Sequence, residues 1–94
     1  MDNFTTIYVI LRTLEKAMDG KVDLELLSAK SLGLSEPRRR ALLIAMQDKG
    51  LIKGVWHGSS LCGTSIRIDD IAITFDGLEY LATNDLMDKV RNDQ

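Results

Sequence analysis

Three arginines stand in a row at Arg38, Arg39 and Arg40. A guanidinium group is a planar fork of N–H donors that matches phosphate oxygens and the major-groove edge of guanine. The run is therefore a candidate for phosphate or base contact. Cations near a helix N-terminus oppose the helix dipole, at about 0.3 kcal/mol each where exposed, and a mildly unfavourable choice points to a use. Helical spacing projects Arg40 outward beside Ile44 and Gln47 and leaves Arg39 at the edge of the buried face. Arg40 and Gln47 are the candidates for base-edge contact, and Arg38, Arg39, Arg40, Lys53 and Arg67 for phosphate contact. Ile44 is expected to face solvent, on the side opposite Leu42 and Met46, where it would meet a thymine methyl or an apolar partner. A solvated helix end explains the same arginine run, because stretches of like charge usually just face water.

The other reactive residue types do not assemble. His57 is the only histidine and Cys62 the only cysteine, so neither a zinc site of the usual ligand set nor an internal disulfide can be built from this chain. The two lie five residues apart with no third group to orient them as a nucleophile and its base. Asp69 and Asp70 are adjacent, and on a strand they would point to opposite faces. Gly50, Gly54, Gly58 and Gly63 match neither nucleotide-binding fingerprint. The expectation is a chain without catalytic residues, cofactor, metal or small-molecule substrate. Trp56 is expected to pack against the core or the wing rather than to stack on a base.

Helices and one hairpin must position these residues. Asn3 reads as an N-cap, and Phe4, Ile7, Leu11, Leu14 and Met18 recur at helical steps, with Tyr8 and Ile10 widening the stripe. That predicts a first helix over 3–18, ended by Gly20. Asp23 caps a short second helix carrying Leu24, Leu26 and Leu27, and residues 28–34 read as a connector with buried leucines. Ser35 and Pro37 open a third helix that runs to about Lys49 with Leu42, Leu43, Ala45 and Met46 inward. Residues 51–57 form one strand and 71–74 another; Ile66–Ile68 is either a strand of its own or part of the loop. A helix starts at Asp76, and Leu86, Met87 and Val90 line a last short helix. These three either dock on the first helix near Val9 or pair with a second copy, which leaves a homodimer open.

Three helices, a β-hairpin wing and a C-terminal helix make an α+β winged helix, expected as one domain over residues 1–94. The segments Phe4–Tyr8, Lys49–Val55 and Ile73–Leu81 resemble the YjcQ family, small winged-helix proteins of Gram-positive bacteria and their prophages. The resemblance spans nearly the whole chain. It implies the fold and a phage-related origin, and brings no activity with it.

Charge is unevenly spread around the net value of −2. Residues 28–67 hold Lys30, Arg38, Arg39, Arg40, Lys49, Lys53 and Arg67 against Glu36 and Asp48, a local excess of +5, while residues 68–94 carry −5. Local fields steer partners more than the total does. No apolar run reaches the roughly 20 residues of a membrane span, the N-terminus lacks the pattern of a secretion signal, and a lone cysteine suits a reducing compartment. The leading expectation is a cytoplasmic transcriptional regulator that binds double-stranded DNA with its third helix and wing. The alternative is a protein–protein interaction module on the same fold, in keeping with the overall acidity and with Ile44.

Overall fold

The computed structural model describes residues 2–60 and 63–83. Helix α1 covers Asn3–Lys16 and continues as a turn of 3-10 helix over Ala17–Asp19. Its N-cap is Asp2 rather than Asn3: the Asp2 carboxylate accepts the Thr5 backbone N–H at 2.7 Å. That bond holds the Asp2 carboxyl below its ordinary value. The buried face is Thr6, Tyr8, Ile10, Leu11 and Leu14. Phe4 and Met18, expected inside, are exposed because α1 is covered only along its middle, by α3 (Glu36–Asp48), α4 (Phe75–Thr83) and β4 (Ala72–Ile73).

The stretch after Gly20 folds as two short pieces. Asp23 caps a 3-10 turn, Leu24–Leu27, by accepting from the Glu25 N–H. Ser28 caps a single helical turn, α2, Ala29–Leu32, where a plain connector was expected. Leu27 and Leu32 are fully buried, so these turns close one side of the core. Ser35 caps α3 by accepting from the Arg38 N–H, with Pro37 in the first turn. Of the four residues expected inward, Leu43 and Met46 are buried, Leu42 is half-buried and Ala45 is exposed. The inward sector is rotated toward Arg39 and Gln47, and Ile44, expected in solvent, is half-buried against the core.

The strand expected over 51–57 is broken. β1 (Ile52–Lys53) pairs antiparallel with β4, in register Ile52↔Ile73. β2 (Trp56–Ser60) pairs with β3 (Gly63–Arg67) as the wing, in register Trp56↔Arg67. The break is at Gly54, whose φ of 84° lies in the left-handed region and whose Cβ, if present, would stand 2.0 Å from the Asp70 carbonyl oxygen. Ile66 and Arg67 belong to β3, which settles that alternative, and Ile68 follows as a core residue.

Helix α4 begins where Thr74 donates through Oγ1 to the Gly50 carbonyl and accepts from the Gly77 N–H at 3.1 Å. The result is an α+β winged helix with Ile10, Leu11, Leu27, Leu32, Leu43 and Ile52 fully buried in one core cluster. No helix among the described residues is long and apolar enough to cross a membrane.

Candidate nucleic-acid interface

The first turns of α3 treat the three arginines differently. Arg38 is exposed and donates through Nη2 to Asn3 Oδ1 at 2.8 Å, which ties the start of α3 to the start of α1. Arg39 turns inward. Its Nε donates to the Leu27 carbonyl at 2.6 Å and its Nη1 to Glu36 at 2.7 Å, leaving the side chain 12% exposed. It is a pin between α3 and the preceding 3-10 turn, unavailable to a phosphate without breaking both bonds. Arg40 lies between these extremes, 3.6 Å from Glu36 and 26% exposed. Glu36 thus sits in the first turn, where a carboxylate suits the helix dipole, and offsets the two cations that follow it.

Arg40 lines a shallow surface recess of about 290 Å³ with Pro37, Ala41 and Ile44. This is the outward face of α3, a guanidinium over a small apolar floor. Gln47, expected on that face, is committed elsewhere. Its Nε2 donates to the Val55 carbonyl and its Oε1 accepts the Val55 N–H, both at 2.7 Å. The side-chain amide pairs with the chain between β1 and β2 as a second backbone would, so Gln47 is a clamp on the root of the wing and not a base reader.

On the wing side, Lys53 is exposed on β1. Arg67 leaves β3 with 71% of its side chain exposed and its Nε 3.7 Å from Asp69, beyond hydrogen-bond distance. His57 is exposed on β2. Cys62, Leu86, Met87 and Val90 lie outside the described residues. Among the described residues no three His, Cys, Asp or Glu side chains come together to hold a metal ion. Of the sequence-derived candidates, Arg38, Arg40, Lys53 and Arg67 present cations to solvent, while Arg39 and Gln47 face into the protein.

A family model described as YjcQ protein matches residues 8–93. The chain belongs to the YjcQ family. No curated protein and no solved structure matches it.

Two surfaces of this YjcQ chain are not apparent in its residue pattern. One is an apolar groove of about 370 Å³ lined by Ile7, Leu42, Ala45, Lys49, Leu51 and Tyr80, between α1, α3 and α4. Leu42 and Ala45 read as inward-facing, and only the seating of α4 opens a groove over them. The other surrounds Trp56, which is 57% exposed: of the two expected positions it takes the one on the wing, over Gly58, and not the one in the core. A signal was present: Gly58, two residues on and therefore on the same face of the strand, offers no side chain for the indole to pack beside.

Proposed function

We propose that this YjcQ-family chain is a non-enzymatic DNA-binding module, a phage-derived transcriptional regulator acting in the cytoplasm. It engages duplex DNA with the outward face of α3 and with the wing. Arg38 and Arg40 contact phosphates and base edges at the start of α3, and Lys53 and Arg67 contact phosphates beside the hairpin. The observation that carries this reading is the exposure of Arg38 and the partial exposure of Arg40 on the third helix of a winged helix, where Arg40 lines the recess of Pro37, Ala41 and Ile44. The local excess of positive charge over residues 28–67 supports it.

The test is an amide chemical-shift titration with a mixed-sequence duplex at low and at near-physiological salt. Shifts are expected on residues 37–44 and on the wing, fading as salt rises. Replacing both Arg38 and Arg40 by alanine should flatten the slope of log K against log salt by about 2, since each phosphate contact contributes about 0.9. An unchanged slope would remove these two residues from the interface.

The apolar groove between α1, α3 and α4 favours a second reading, a protein-interaction module. That reading predicts a partner whose binding survives high salt and is lost in Ala45→Asp, at an exposed position on the groove. Ile44 no longer serves for this purpose, because it packs against the core.

A further inference from the structure

Trp56 is the only tryptophan of the chain, and it stands more than half exposed at the base of the wing. Its ring is nonetheless held in place. The benzo end leans over Gly58, where a Cβ would lie 3.1 Å from Cη2 and 3.3 Å from Cζ2. Directly across the ladder is Arg67, whose guanidinium carbon lies 6.0 Å from the ring centroid. Trp56 and Arg67 line a recess of about 240 Å³ with Gly54, Asp69 and Asp70. Gly54 lets two walls of that recess meet, because its backbone packs directly on the Asp70 carbonyl and leaves no room there for a side chain.

We infer that this recess binds an unpaired nucleobase of a single-stranded segment, stacked on Trp56, with the adjoining phosphate drawn to Arg67 and an exocyclic amino group donating to Asp69 or Asp70. The inference rests on the nucleic-acid reading above and adds a second, chemically different contact to it. Indole and guanidinium planes both stack on bases. A base inside a duplex has both faces covered by its neighbours, so only an extruded or single-stranded one can lie on Trp56. Two carboxylates beside the ring accept from the amino groups of cytosine, adenine or guanine, which thymine lacks. A cationic side chain from a protein would compete with Arg67, which already supplies the cation at the indole.

Trp56 itself is the reporter. Its emission is titrated with short oligodeoxycytidine, short oligodeoxythymidine, a blunt mixed-sequence duplex and an oligoarginine peptide. Saturable quenching by oligodeoxycytidine is expected, weaker binding of oligodeoxythymidine, and only a small change with the duplex, which reaches Arg67 but has no free base to stack on Trp56. In Trp56→Ala, read by anisotropy of a labelled strand, oligodeoxycytidine should bind about tenfold more weakly. Duplex binding and the far-UV circular dichroism should not change. Asp69→Asn with Asp70→Asn should narrow the difference between the two strands. Equal binding of both strands by the wild type would overturn the role given to the carboxylates. Unchanged emission with every single strand, beside intact duplex binding on α3, would overturn the base site and leave the duplex reading standing. No response to any nucleic acid would overturn both, and quenching by the peptide alone would make the recess a cation site.

Discussion

Arg39 and Gln47 are the two residues whose side-chain chemistry points away from the place they take in the fold. Both are long, polar and on a helix expected to meet a partner, yet both direct their polar atoms inward, to Leu27 and Val55. A helical wheel places a side chain within a sector and says nothing of which loop folds over that sector. The Leu27 carbonyl stands at the end of a 3-10 turn and the two backbone groups of Val55 lie between strands, and such groups need a side chain or water. Val55 is itself buried, so truncating its partner leaves a donor and an acceptor unsatisfied. Gln47→Ala is expected to lower stability by about 1–3 kcal/mol in urea denaturation. Duplex affinity measured on the folded variant should stay unchanged. Weaker duplex binding at full stability would return Gln47 to the interface. Arg38, by contrast, is exposed, and Arg40 is half-buried beside Glu36 on the outward face.

Element ends are where local sequence rules work best, and most of them hold here. Ser35 before Glu36-Pro37, Asp23 before Leu24 and Ser28 before Ala29 all cap the turns that follow them. The cap of α1 sits one residue earlier than Asn3, because Asp2 also carries a short acceptor and a full charge favoured at a helix N-terminus. Asn3 is then free to accept from Arg38. The capping bond from the Thr5 N–H favours the ionised Asp2 and lowers its proton affinity in the folded state. Its stabilisation is therefore complete above the ordinary value of 3.8 and is lost as pH falls through the lower folded value. The difference in melting temperature between wild type and Asp2→Ala, followed by circular dichroism, should be present near neutral pH and shrink in acid. A difference independent of pH would assign the effect to something other than the charged cap. The break between β1 and β2 was beyond these rules. Alternation across 51–57 reads as one strand, and Gly54 becomes a corner only because the Asp69–Asp70 turn packs on it.

Across the whole molecule, α4 is seated on the joint between α3 and β1. At Gly77 a Cβ would stand 2.3 Å from the Leu51 carbonyl oxygen and 2.7 Å from Ile73 Cγ1. In an isolated helix Gly→Ala is worth about 1 kcal/mol of stability. Here the added methyl would push α4 off its seat, and Gly77→Ala is expected to cost about 1–3 kcal/mol instead. The sign of the change in urea denaturation separates the two: a stabilised variant would mean that α4 is not held this closely. The sequence alone determined that helices and one hairpin follow each other in winged-helix order, that the chain resembles the YjcQ family, and that positive charge gathers in its middle third. Those properties are written in periodicity, capping residues and composition, each read within a few turns of chain. The tertiary structure alone decided which cations remain free, that Trp56 lies open above Gly58, and that Leu42 and Ala45 line a groove. The cations and the groove depend on contacts between residues far apart in the chain, such as Arg39 with Leu27, which no local pattern encodes, and Trp56 has only the local trace of Gly58 two residues on.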